Sequence, residues 1–148
     1  MKFSKFELKM FNAAHCEAEK SDFKQFNIGC VITYKGHIIG RGHNQNKTHP
    51  MQKKYNRKYR KLHNSSHTPI SDSIHAEMDA LNSISYTTGI EIDWSKVKVF
   101  IWRIAPGKPR GYGKSKPCPA CAAALRDLNI HHIYYTDDFG LNYLYLED

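Results

Sequence analysis

Two short stretches hold the residue types that do chemistry. In "SDSIHAEMDALNSI", residues 71–84, His75 and Glu77 stand two apart. In "KPCPAC", residues 116–121, Cys118 and Cys121 stand three apart. Neighbours on a helix face are three or four residues apart, so two is poor spacing for two ligands, and His75 and Glu77 are expected to act differently. Pro119 suits the first turn of a helix, which puts Cys118 just before that helix and Cys121 inside its first turn. Both sulfurs can then point to one spot, where unpaired N–H groups and the positive helix end favour thiolates. His75 occupies the same position on its own helix. One His and two Cys make three protein ligands for zinc and leave a fourth position for water, the count of a catalytic site rather than a closed structural one.

Blander readings compete for the same residues. A CxxC in an intracellular protein also serves as a redox pair or as half of a zinc ribbon. The sequence has no second CxxC to complete a ribbon, and His131-His132 lacks the spacing of a zinc finger. A redox pair leaves His75 and Glu77 without a role.

The elements that must position these groups follow from pattern. Ile74, Met78 and Leu81 recur at helical spacing and predict a helix over 75–84, with Ala76 and Ala80 on another side where small residues permit close packing. The first twenty residues predict an amphipathic helix whose stripe holds Phe3, Phe6, Met10, Ala13 and Ala14. They lack the uninterrupted apolar core and cleavage site of a signal peptide. Strands over 28–34 and 37–42 flank Lys35-Gly36, which reads as a tight hairpin. Residues 44–70 form a long basic loop or lid, with room for a short helix through its Lys/Tyr stretch. A strand over 96–104, a helix over 119–128 stopped by Asn129, and strands over 131–137 and 141–147 complete the chain. The order αββαβαββ predicts a single α/β layered domain over 1–148 with one mixed, five-stranded sheet. The "DFG" segment between the last two strands is too short for a parallel crossover, so that pair should be antiparallel.

The chain has 148 residues, 41% hydrophobic and 24% charged, which fits one globular domain and excludes a disordered one. No apolar run approaches the ~18 residues needed to cross a bilayer, so a cytoplasmic protein without a membrane partner is expected. Cys16 and Cys30 lie in apolar settings and read as buried small hydrophobes. The net charge of +8 is concentrated in "KKYNRKYRK", 53–61, and "RIAPGKPRGYGKSK", 103–116. Such runs are either a solvated face or a surface that attracts phosphate.

"HAE", followed some forty residues on by "PCPAC", matches the H-x-E…P-C-x-x-C signature of zinc nucleobase deaminases. The chain resembles the cytidine/deoxycytidylate deaminase superfamily, and its element order agrees across about 28–136. "GRGHN" is similar to the Gly-x-Asn that ends the second strand in deoxycytidylate deaminases and bacterial tRNA adenosine deaminases. The resemblance therefore implies a cytidine-deaminase-like αβα domain. It implies one catalytic zinc on His75, Cys118 and Cys121, and a Glu77 that is no ligand but moves protons among the attacking water, the ring and the leaving ammonia. It matches Asn44 to a sugar-holding asparagine and places the pyrimidine edge against the backbone near Ala76, with Pro117 alongside. Relatives border the base with an aromatic where Tyr134 and Tyr135 stand; alternation lets one of them face it, and Tyr135 is the candidate. His43, His49, His63 and His67 cluster in or near the lid, where some deoxycytidylate deaminases carry a second zinc.

One feature departs from the nucleotide and tRNA branches, which place a helix between the fourth and fifth strands. The antiparallel pair expected here is more typical of free-nucleoside cytidine deaminases, so Asn44 and the pairing point to different branches. The expected function is hydrolytic deamination of the cytosine base of a small-molecule nucleoside or nucleotide. The alternative is a deaminase of cytosine or adenine in single-stranded DNA or RNA, gripped by the basic 47–63 segment. A homo-oligomer is expected.

Overall fold

Helix α1, Lys5–Glu19, begins at a reciprocal cap: the Ser4 hydroxyl accepts from the Glu7 amide while the Glu7 carboxylate accepts from the Ser4 amide. The computed structural model describes residues 2–22, 26–60, 73–84, 91–104 and 112–147. Strands β1, Asn27–Tyr34, and β2, His37–His43, are joined through Lys35 and Gly36, both at positive φ, as the tight turn of an antiparallel hairpin requires. The lid carries a short helix α2, Pro50–Tyr55, running into a π-helical turn, Asn56–Arg60. Helix α3, Ala76–Asn82, strand β3, Lys98–Ile104, helix α4, Pro119–Asp127, strand β5, His132–Asp137, and strand β6, Gly140–Tyr145, follow.

The sheet runs β2-β1-β3-β5-β6. β3 and β5 are parallel and every other pair is antiparallel, which makes the sheet mixed as expected. The β5–β6 hairpin is antiparallel, with His132 opposite Tyr145 and Asp137 opposite Gly140. One expectation needs correcting. A sixth strand, Tyr112–Gly113, pairs with the end of β3, so the sheet has six strands rather than five. Two residues carry no period-2 signal, which hides such a strand among the flanking glycines and prolines. Numbering in chain order, this short strand is β4.

The layers are αβα. On one face α1 sets Met10, Phe11 and Ala14 against Val31, Phe100, Trp102 and Tyr134. On the other, α3 and α4 pack Met78, Leu81, Cys121 and Leu125 against Ile32, Val99, Ile101 and Ile133. Cys30 is buried there, but Cys16 is exposed, against expectation. The buried stripe of α1 is Met10, Phe11, Ala14, Glu17 and Ala18, which leaves Cys16 toward solvent and puts an acid inside. Glu17 is tolerated because Lys20, Arg41 and His43 approach its carboxylate at 2.9, 3.9 and 3.6 Å. Helix α4 ends as Asn129 suggests. That residue has a φ of 63°, its amide donates to Arg126 O, and the Ile130 amide donates back to Leu125 O.

The lid histidines that a second zinc would need lie only partly among the described residues, because His63 and His67 fall outside them. So do the basic residues Lys61, Lys108 and Arg110. No helix among the described residues is long and apolar enough to cross a membrane.

Candidate active site

α3 can lie close on β2 because β2 offers glycines where its inward side chains would stand. A Cβ on Gly42 would fall 2.8 Å from Ala76 O, and one on Gly40 would fall 2.6 Å from Ala80 O. That approach seats the start of α3 directly on β2, with its neighbour β1 alongside. His75 is its N-cap residue. The chain before it is clamped in extended form: Gln45 N donates to Ile74 O, Ile74 N donates to Lys47 O, and Thr48 bridges Ser73. Asp79, one turn into α3, accepts from the amide of His43 and from the Gln45 side chain, tying the end of β2 to the same helix.

Cys118 is likewise the N-cap residue of α4, with Pro119 following at the first helical position. The stretch before it is anchored by Ser115, whose amide donates to Thr136 O while its hydroxyl lies against Ile101 O. The Thr136 hydroxyl in turn donates to Gly113 O at 2.6 Å. Both helices therefore present their first residue to one point.

There the ligand atoms of His75, Cys118 and Cys121 all lie within 4.8 Å of one another. His75 Nδ1 is 3.6 Å from Cys118 Sγ and 3.3 Å from Cys121 Sγ. Tetrahedral zinc with ordinary Zn–S and Zn–N bonds sets such donors about 3.6 Å apart, so the three fit one zinc ion. Two helix N-termini and a histidine are also the surroundings in which thiols ionise. The Cys118 thiol is pulled down to about 4, chiefly by the hydrogen bond from Cys121, with His75 adding to the effect. That shared bond and burial push the Cys121 thiol up.

Glu77 is buried beside this trio. Burial raises its pKa above the usual carboxylate range; the charge of His75 opposes that rise and Cys118 adds to it. Ala76 is fully buried at the first helical position, and Pro117 is half-buried next to Cys118. The tyrosines divide by face: Tyr134 stacks on Phe100 beneath α1, and Tyr135 packs on the α3/α4 side. Asn44 is buried with its amide spanning the start of β1, accepting from Ile28 N at 2.8 Å and donating to Phe26 O at 3.1 Å. Of the lid histidines, His43 lies against Glu17, and His49 caps α2 by accepting from Met51 N. Sequence reasoning missed Gln52 and Asn56. Both are completely buried, in a stretch whose composition signals only a basic surface.

An αβα domain with a His/Cys/Cys metal centre at two helix starts is the class that fold and site define. Residues 4–137 match the family described as "Cytidine and deoxycytidylate deaminase zinc-binding region", and the chain belongs to that family. No curated protein sequence matches it significantly. Among solved structures it is similar to the dCMP deaminase of cyanophage S-TIM5 in apo form, at 20% identity and a TM-score of 0.57, covering 91% of this chain and 84% of that one. The same phage enzyme in complex with dCMP and dUMP gives 17% identity and a TM-score of 0.58, covering 91% and 83%. The cytidine deaminase of Burkholderia pseudomallei gives 15% identity and a TM-score of 0.60, covering 97% and 94%. At such identities these likenesses speak for the fold.

Proposed function

We propose that the chain deaminates the cytosine base of a nucleoside or nucleotide, a zinc-dependent hydrolysis that releases ammonia. The observation that carries this reading is the convergence of His75, Cys118 and Cys121 beside a buried Glu77 that is not one of the trio. Those three residues would hold the zinc. Bound there, it supplies Lewis acidity and lowers the pKa of water toward ~7. Glu77 takes a proton from the attacking water and delivers it to the ring nitrogen. It then carries another to the departing amine as the C–N bond breaks. A carboxyl raised by burial suits both halves of this exchange, since an acid/base works best with its pKa near the working pH.

The backbone at Ala76 faces the pyrimidine edge, Pro117 walls it, and Tyr135 borders the ring. Each end of the Asn44 amide keeps a second hydrogen-bonding position, which the proposal gives to the sugar. The neighbour crystallised with dCMP and dUMP supports a nucleotide among the substrates. All four cysteines are free thiols, which suits a cytoplasmic protein.

A second reading rests on the lid. Lys53, Lys54, Arg57 and Lys58 are exposed, and the Lys58 ammonium lies over the ring of the half-buried Tyr59. Such a surface suits a single strand of DNA or RNA. Ammonia release from cytidine, deoxycytidine, their monophosphates and short single-stranded oligonucleotides separates the two. Turnover of the monomers with none of the oligonucleotides is expected. Oligonucleotide turnover, with binding that weakens by about 0.7 in log affinity per log salt for each phosphate contact, moves the assignment to nucleic acid.

A further inference from the structure

We propose that Gln52, aligned by Asn56, is a positioning residue that fixes the metal-ligating histidine through its backbone. The proposal rests on the assignment of His75 as a zinc ligand.

Gln52 lies on α2 in the basic lid, twenty-three residues before His75, yet its side chain is completely buried. Its Oε1 accepts from the backbone N–H of His75 at 3.0 Å. Its Nε2 donates to Asn56 Oδ1 at 2.9 Å, and Asn56 is completely buried as well. Two uncharged polar side chains without solvent contact are costly unless their hydrogen bonds are made, because each buried group has given up water. Here one end of the chain of contacts is the residue whose side chain joins the metal centre.

The geometry explains why an acceptor is needed at that point. His75 has extended backbone, φ −81° and ψ 158°, and its amide precedes the first turn of α3, so no carbonyl of that helix is available to it. Ile74 on the preceding side is already held at both its amide and its carbonyl by Lys47 and Gln45. With Gln52 on the next amide, three successive backbone groups around His75 are tied down, and the imidazole is aimed from a rigid base. Asn56 stands one turn after Gln52 at the entry to the π-helical turn. Such wide turns are rare and concentrate at functional sites. In this one the wide turn begins at the residue that orients Gln52. Since α2 also carries exposed Lys53 and Lys54, anything that seats on the lid bears on the helix that grips His75.

The test compares wild type with Gln52→Met, which has similar volume and no acceptor, and with Gln52→Glu. Buried and neutral, a glutamic acid can accept from His75 N–H and donate to Asn56. The readouts are zinc affinity by competition with a chelator and the thiolate-to-metal absorption of the cobalt-substituted protein, neither of which depends on turnover. Outer partners of metal ligands typically contribute 10–100-fold to affinity, so a loss of about that size and an altered cobalt spectrum are expected in Gln52→Met, with recovery in Gln52→Glu. Wild-type affinity and spectrum in a folded Gln52→Met overturn the proposal. If Gln52→Met does not fold, Asn56→Ala decides. Weakened zinc binding there, with retention in Gln52→Glu, supports the proposal, and equal affinity across both overturns it. A wild-type protein that binds neither zinc nor cobalt is a different failure, that of the zinc assignment itself.

Discussion

The two faces of the sheet are built on opposite principles. Under α1 the core is made of rings. Phe11 sits edge-on to Phe3, Phe100, Trp102 and Tyr134 with centroids 5.4 to 6.4 Å apart, and Phe100 stacks on Tyr134 at 4.4 Å. Under α3 and α4 the core is aliphatic, and the helices meet it through small residues: Ala76, Ala80, Ala120, Ala122, Ala123 and Ala124 stand among Met78, Leu81 and Leu125, with Gly40 and Gly42 across from α3. Large rings bury the most area per residue and supply stability. Small residues supply less, but they let backbones approach, and only close approach brings two helix starts to within ligand distance of each other. The aromatic face holds the sheet; the alanine face places the chemistry. The buried polar groups around the metal centre, Glu77, Gln52 and Asn56, lie on the alanine side, whereas the acid buried on α1, Glu17, is held by cations at the edge of the sheet.

The largest expected effects test this division directly. Glu77→Ala should keep zinc and fold yet lose about 10²–10⁴-fold in turnover, the usual share of a general acid/base, because it removes the proton carrier and no ligand. Activity assay and elemental analysis on one preparation check it; a variant that loses its zinc makes Glu77 a ligand instead. Phe11→Ala should do the reverse. It should lower unfolding free energy by about 3–5 kcal/mol, as for other buried phenylalanines, while zinc affinity in the still-folded protein is unchanged. Urea titration with a zinc competition assay reads both. If Phe11→Ala also weakens zinc, the faces are coupled through the sheet.

Gly42→Ala should fall between these two and strike both properties at once. The added Cβ would meet backbone atoms of α3, Asp79 C at 2.7 Å and Ala76 O at 2.8 Å, which no side-chain rotation relieves. Pushing the helix back should cost roughly 1–3 kcal/mol of stability. It should also move His75 relative to the cysteines, so zinc affinity should drop together with the urea midpoint. A loss of stability without any loss of zinc affinity would show that α3 yields elsewhere than at its start.

Much of the site side of this contrast was legible in the sequence because the signals are local. A proline after Cys118, small residues along the 75–84 helix, Lys35-Gly36 and Asn129 each act within a turn or two of themselves. The β5–β6 pairing was legible because chain length alone forbids a parallel crossover. What escaped depends on contacts distant in sequence. Gln52 becomes a core residue only because His75, twenty-three positions on, needs an acceptor. Glu17 takes an apolar slot and leaves Cys16 outside because Arg41 and His43 arrive from β2 to join the local Lys20 at its carboxylate. Composition counts Gln52 and Glu17 as surface, and the fold makes them interior.

The smallest effect concerns the bolt between the lid and α4. The Tyr55 hydroxyl donates to Asp127 Oδ2 at 2.6 Å, at the last residue of α4. Asp127 is exposed and regains water when the phenol is removed, so Tyr55→Phe should cost only about 1 kcal/mol. Burial first, then the bond to Asp127, raises the phenol pKa from 10.0 to about 12. In the unfolded chain the phenol releases its proton near pH 10, whereas the folded protein holds it to about 12. Between those values the unfolded state binds fewer protons, so stability falls as pH rises. The contribution is therefore whole below pH 10 and lost on the way to 12. Urea midpoints of wild type and Tyr55→Phe, measured in parallel across that range, should differ below it and converge above it. A difference that stays constant would mean that the phenol ionises alike in both states and that the bolt contributes through packing alone.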